Sequence, residues 1–298
     1  MLDTDHKVSY YDMKNWQRRY PSRAPLPFFI SVYPMQQLYA YDQRGDCMNH
    51  KSFCIRRDIK YKEIIVDHKV FNKFYEITNP NCLDIISIPD GCVDIEFLWK
   101  GDQAKAYVCG SLLSGRKSGI GTYDRCFGIR FNPGSIPECF KDSMKSIVDN
   151  RCELSNYMNL KGINIALNDR LSLDDKADYF LENFRHQEEI EPHLIITFVT
   201  NKIKEEAGLI NVGEIINSLG YSHCYVDRIF KAFVGVSVKK YANIIRLQQA
   251  VDIVRENKAD EVYDRLGFYD QAHFIHEFKR FTSITPNVFF KMKEIEIV

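Results

Sequence analysis

At 298 residues, with 40 Lys and Arg balancing 40 Asp and Glu, the chain is long enough for two ordinary domains. Its neutrality excludes nucleic-acid binding through a global basic excess. A content of 45% hydrophobic and 27% charged residues is that of a soluble globular protein, and no apolar run approaches the roughly 18 to 20 residues of a membrane span. The opening MLDTDHKVSYYDMKNWQRRY has neither an apolar stretch nor a cleavage site, so a cytoplasmic location without membrane contact is expected. Nine cysteines, an odd number lacking any C-x-x-C, read as reduced thiols acting as small apolar residues. Neither a metal nor a cofactor is expected.

Residues from about 25 to 135 read as short strands broken by turns. In LDIISIPDGCVDIEFLW (83–99) two apolar strands flank Pro89-Asp90-Gly91, where Pro presets φ and Gly accepts a positive one. The Gly/Ser-rich VCGSLLSGRKSGIGTYD (108–124) predicts a loop. CFGIRFNPGSIPECF (126–140) predicts a strand ending at Asn132-Pro133-Gly134. Together they predict an antiparallel β-sandwich or small barrel. From about 137 to 185 the apolar spacing turns helical, as in LSLDDKADYFLENF (171–184), with Ser172 or Asp174 as N-cap. RHQEEIEP (185–192), charged and closed by Pro192, predicts a linker.

The last third repeats itself. At an offset of 48, SHCYVDRIFKAFVGVS (222–237) lies over DQAHFIHEFKRFTSIT (270–285), so that Val226, Phe230, Lys231 and Phe233 match Phe274, Phe278, Lys279 and Phe281. Leu-Gly-aromatic precedes each copy, and a short helical segment precedes that: NVGEIINSL in one, ADEVYDRL in the other. Each unit is therefore predicted as helix, Gly-containing turn and helix, N-capped by Ser222 and Asp270. VKKYANIIRLQQAVDIVREN (238–257) between them predicts one long amphipathic helix.

A helix crossing a duplex while a second enters the major groove has this geometry. Phe274, Phe278 and Phe281 at i, i+4 and i+7 face a core. Gln271, Ala272, Ile275, His276, Lys279 and Arg280 are left to face DNA. The corresponding face of the first unit is His223, Cys224, Asp227, Arg228 and Lys231. By residue type, Gln271 suits adenine, Arg228 guanine, Asp227 the amino group of cytosine, and Ala272 and Ile275 thymine methyls. Lys231, Lys239, Lys240, Lys279 and Arg280 suit phosphates.

Residues 194–292 resemble the DNA-binding domain of the AraC/XylS family of bacterial transcription regulators. The resemblance rests on Gly267-Phe268, Phe274, Phe278-Lys279 and Thr285-Pro286, with Arg246-Leu247 and Ala250 in the connecting helix. It implies two helix-turn-helix units, each meeting one of two successive major-groove segments, with Cys224, Asp227 and Arg228 reading bases in one and Gln271, Ala272, Ile275 and His276 in the other. The chain departs from the family pattern at Ile216 and Tyr263, where Ala is usual, and at Ser283, where Gly is usual. From Glu191 on, 14 Lys and Arg stand against 14 Asp and Glu, so the domain is not basic.

IPDGCVDIEF and GIRFNPG further resemble β-rich sensor domains that precede such DNA-binding domains. Arg130, mid-strand, suits either a bidentate grip on an effector carboxylate or an internal ion pair with Asp90 or Asp94. The cysteines suit thiol sensing or plain packing. A cupin-like metalloenzyme is disfavoured because His6, His50, His68 and His186 form no His-x-His. A DNA-alkyl repair protein is disfavoured because the cysteine spacing is wrong for zinc. The fold expected is α+β: a β-rich, cupin-like or sandwich domain with C-terminal helices over 1–187, then an all-α domain over 191–298 with two helix-turn-helix units joined by a long helix. Double-stranded DNA and a small-molecule effector are the expected partners, with RNA polymerase and a second copy of the chain as further candidates. The alternative is a β-rich half that only dimerises or binds a protein.

Overall fold

Alternation along three long strands sets the layers of the N-terminal half. In β4 (Phe71–Thr78), β6 (Asp94–Lys100) and β9 (Arg125–Phe131), Phe74, Phe97 and Phe127 face one core. Their neighbours Tyr75, Leu98 and Cys126 face another. The computed structural model describes residues 9–11, 53–56, 59–78, 85–159, 168, 171–183, 193–255, 261–291 and 295–297, and the expected linker at 185–192 lies outside them.

These strands belong to a seven-stranded sheet with order β1-β3-β4-β9-β6-β7-β10. Its other members are β1 (Ser9–Tyr11), β3 (Lys60–Val66), β7 (Gln103–Cys109) and β10 (Arg151–Glu153). All neighbours are antiparallel except β1 and β3. A four-stranded antiparallel sheet, β11-β2-β5-β8, joins β2 (Phe53–Arg56), β5 (Ile86–Ser87) and β8 (Arg116–Lys117) to β11 (Ile295–Ile297) from the far end of the chain. The two sheets meet across Phe53, Ile55, Tyr75, Ile77 and Leu98, a sandwich, which is one of the two forms expected. Helices cover the other face of the large sheet: α1 (Glu138–Lys141), α2 (Met144–Ile147) and α3 (Leu173–Asn183). Phe180 of α3 lies 6.4, 6.5 and 6.0 Å from the rings of Phe74, Phe97 and Phe127. Ser172 caps α3, its Oγ accepting the Asp175 N–H while the Asp175 carboxylate accepts the Ser172 N–H.

The helical half comprises α4 (Leu194–Glu205), α5 (Val212–Ser218), α6 (His223–Val234), α7 (Val238–Arg255), α8 (Glu261–Leu266), α9 (Gln271–Thr282) and α10 (Pro286–Lys291). Both expected caps are present. Ser222 Oγ accepts the Tyr225 N–H at 3.3 Å, and Asp270 Oδ1 accepts the His273 N–H at 2.7 Å. α6 ends on left-handed Gly235, whereas α9 ends on Ser283 at φ 64°; the departure from Gly is absorbed by the backbone. Ile216 is accommodated in the core of the first unit with Val226 and Phe230. The side chain of Tyr263 lies outside the described residues.

α7 differs from the amphipathic helix expected. Of its described side chains only Lys239 is exposed. Tyr241, Ala242 and Ile245 pack into the first unit, and Leu247, Ala250, Val251 and Val254 into the second. The flank left over rests on the β-rich half. Gln248 donates to the Pro89 carbonyl at 3.0 Å, and the Tyr241 ring covers Gly91.

A second contact is made by the segment 110–117, here called the strap. Ser111 Oγ lies 2.9 Å from the Val234 carbonyl at the end of α6. The Leu113 carbonyl accepts Lys240 Nζ at 2.8 Å. The Gly115 N–H donates to the Arg280 carbonyl near the end of α9 at 2.8 Å, and a Cβ at Gly115 would overlap the Phe281 carbonyl oxygen. The strap thus touches both helix-turn-helix units and the helix between them.

Gly91 sits at φ 75° directly against Tyr241. Gly91→Ala is expected to lose roughly 2 kcal/mol or more, from left-handed strain of about 1–2 kcal/mol plus the displaced ring. Urea unfolding of the pair checks this; an unchanged midpoint would remove this contact from the list of stabilising ones.

Candidate functional site

Helical period decides what each second helix presents. In α6, Val226, Phe230 and Val234 turn into the core, which leaves His223, Cys224 and Arg228 exposed together. The Arg228 guanidinium lies 5.6 Å from the centre of the Tyr225 ring, and Tyr225 packs against Tyr221 at 5.2 Å. Both tyrosines are exposed. At such a site the cation–π contact contributes about 0.5–1 kcal/mol, enough to bias Arg228 toward one rotamer without locking it.

Asp227 does not stand ready for a base. Its Oδ1 accepts the Val238 N–H at 3.2 Å, so it satisfies one of the orphan donors at the start of α7. Its Oδ2 pairs with Lys231 at 2.6 Å. Asp227 thus has a structural partner in the free chain, while Lys231 keeps its ammonium at the surface.

In α9, Phe274, Phe278 and Phe281 are buried, as their spacing requires, and Gln271, Ala272, Ile275, His276, Lys279 and Arg280 are exposed. Arg280 pairs with Glu277 at 2.6 Å; Lys279 makes no ion pair among the described residues. Tyr269, 92% exposed, stands in the turn before the helix. Lys239 is exposed at the head of α7. Lys240 is drawn into the strap by the Leu113 carbonyl, and burial, with Arg280 nearby, lowers its pKa. Tyr225 and Tyr269 escaped the sequence reading, which noted Tyr221 only as the aromatic before the first unit's second helix.

Arg130 takes the internal role. Nε and Nη2 grip the Asp94 carboxylate at 2.8 and 2.5 Å, and Nη1 pairs with Asp90 at 2.5 Å. All three side chains are buried, so the guanidinium fork that an effector carboxylate would need is filled by two carboxylates of the chain itself. Tyr75 donates to Asp94 or Glu96, and Arg151 pairs with Glu96 at 2.7 Å. The thiols nearby are poor sensors: burial pushes Cys92, Cys109 and Cys126 up, away from the thiolate that reacts. Cys224 is exposed. Among the described residues no cluster of His, Cys, Asp and Glu is placed to hold a metal ion, and no helix is long and apolar enough to cross a membrane.

Residues 215–292 match the profile of the family described as a helix-turn-helix domain. Similar curated proteins include the transcriptional regulatory protein HptR of Staphylococcus aureus strain NCTC 8325, 29% identical over 83 residues, which are 28% of this chain and 33% of that one. An uncharacterized response regulatory protein of Staphylococcus epidermidis is 26% identical over 86 residues, 28% of this chain and 34% of its own length. The chain spans about a third of the length of these relatives. Among solved structures, ToxT of Vibrio cholerae aligns over 81% of this chain and 98% of its own, at 14% identity and a TM-score of 0.36.

Asp227→Ala is expected to destabilise by about 1 kcal/mol, the usual loss of a helix cap, and Asp227→Asn, which keeps the acceptor, by much less. Equal losses in paired thermal unfolding would argue against the capping role. Asp90 generates a pH dependence. Burial, opposed by Arg130 and reinforced by Asp94, raises its carboxyl to about 6. The folded chain then holds this proton more tightly than the unfolded one. The stability it contributes is complete below about pH 4 and lost as the pH rises through 6. Relative to Asp90→Asn, the unsubstituted chain should lose on the order of 3 kcal/mol between pH 4 and pH 7 in urea titrations. A gain over that interval would reverse the sign assigned here.

Proposed function

We propose that this chain, whose residues 215–292 form an AraC-type helix-turn-helix domain, is a cytoplasmic bacterial transcription regulator that binds double-stranded DNA through α6 and α9. We further propose that the β-rich half, 1–187, receives a small-molecule effector and that 191–298 delivers the response. RNA polymerase and a second copy of the chain are candidate partners. The observation that carries the reading is the pair of two-faced helices fixed on one buried axle. Each has an aromatic or aliphatic stripe inside and a polar face outside.

In this reading Arg228, biased by Tyr225, contacts guanine and Gln271 contacts adenine, each bidentate pair discriminating by about 1–3 kcal/mol. Ala272 and Ile275 meet thymine methyls. His223, Cys224 and His276 border the same faces. Lys231, Lys239, Lys279 and Arg280 take phosphates, which set register and affinity without sequence information.

The test is fluorescence anisotropy with DNA from immediately upstream of the chain's own gene, across a salt series. Four phosphate contacts predict a slope of log K against log salt of roughly −3 to −4. Arg228→Ala with Gln271→Ala should abolish preference for that DNA over scrambled sequence. Lys279→Ala should weaken all sequences alike and flatten the slope by about one. Binding indifferent to sequence in the unsubstituted protein would refute base readout by these helices.

A further inference from the structure

A cleft of about 160 Å³ is lined by residues of the strap and of the β-rich half. It is lined by the buried charge network of Asp90, Asp94, Glu96 and Arg130, by Lys117 and Gly119 from the strap and the turn after it, and by Arg151 beside Gly119.

The acceptors of this network are engaged. Asp90 accepts from Arg130 and from the Cys92 N–H, Asp94 from Arg130, and Glu96 from Arg151, with Tyr75 reaching the last two carboxylates. The donors are not all used. Arg151 directs Nη2 to Glu96 and Nε to the Cys109 sulfur, and its Nη1 makes no hydrogen bond among the described residues. The space beside Nη1 is kept by Gly119, where a Cβ would lie 2.6 Å from it. Lys117 is exposed and makes no ion pair among the described residues. The unused Nη1 edge of Arg151 and the Lys117 ammonium, beside carboxylates whose acceptors are already engaged, form a receptor for an anion. The volume is that of about five waters, well below a drug-sized pocket of roughly 300–1,000 Å³.

We propose that this cleft binds a small anion, the carboxylate or phosphate group of a compact metabolite, between Arg151 and Lys117, and that the strap passes its occupancy to both helix-turn-helix units. The proposal rests on the reading of the chain as an effector-controlled regulator and names the site and class of that effector. The path is short. Lys117 follows directly on the strap residues that hold the end of α6, the head of α7 and the end of α9. Those contacts leave both DNA-facing surfaces exposed. Occupancy therefore works through the strap's hold on the ends of α6 and α9 and the head of α7, and does not work by covering those surfaces.

The test uses the full chain, with inorganic phosphate and malonate as probes against sodium chloride of equal ionic strength. At least one probe should raise Tm in a saturable manner and change the affinity for the upstream DNA threefold or more. Lys117→Gln, a surface change, should weaken the probe's effect on Tm about tenfold in concentration. Gly115→Ala, which pushes the strap off α9, should keep the Tm response and lose the effect on DNA. Absence of a saturable Tm rise with both probes overturns the site, as does an undiminished response in Lys117→Gln. A Tm response without any change in DNA affinity overturns the coupling. Failure of DNA binding under every condition defeats the regulator reading instead, and the Tm series still judges the anion site by itself.

Discussion

A helix without a free side holds this structure together. α7 has one exposed side chain among those described; two flanks complete the cores of the two helix-turn-helix units, and the third lies against the Pro89–Gly91 turn. Neither unit can shift without opening a cavity along it, and cavities in close-packed interiors are costly. Its 18 residues extend about 27 Å, comparable with the roughly 34 Å of one DNA turn. The separation of the recognition helices is thereby a property of packing, not of the residues that meet DNA.

The charges divide along similar lines. Over the helical half they cancel, yet exposed cations occur at the ends and heads of the helices proposed to touch phosphate, while several anions are turned to structural use. Asp227 caps α7 and Glu277 holds Arg280 beside the Asn243 amide. In the β-rich half, Arg130 and Arg151 are surrounded by Asp90, Asp94 and Glu96. A formal count of zero thus conceals two different economies, one facing solvent and one facing inward.

What could be read in the sequence was local. The repeat, the caps at Ser222 and Asp270, the aromatic stripe of α9 and the Pro-Asp-Gly turn each depend on residues a few positions apart, and each stands where periodicity and turn chemistry put it. The ion-pair alternative for Arg130 was legible because strand neighbours of opposite charge are few. Long-range backbone bonds were not. The strap grips α6 and α9 mainly through carbonyl and amide groups, which every residue carries, so a Gly/Ser-rich stretch looks like any loop. The partners of Asp227 and Lys240 within the chain were hidden for a related reason: the Val238 amide and the Leu113 carbonyl leave no mark in composition. α7 looked amphipathic because its polar residues are polar; only the packing shows that Gln248 and Asn243 are partly or wholly enclosed.

β11 gives the molecule a mechanical property of its own. Ile295 and Ile297 pair with Arg56 and Cys54 of β2, so the chain that leaves the β-rich half after α3 is fastened to it again at its far end. Together with the strap and the Gln248 and Tyr241 contacts, this ladder ties the helical half to the β-rich half along several lines, and a fusion or tag placed beyond Ile297 would pull on it.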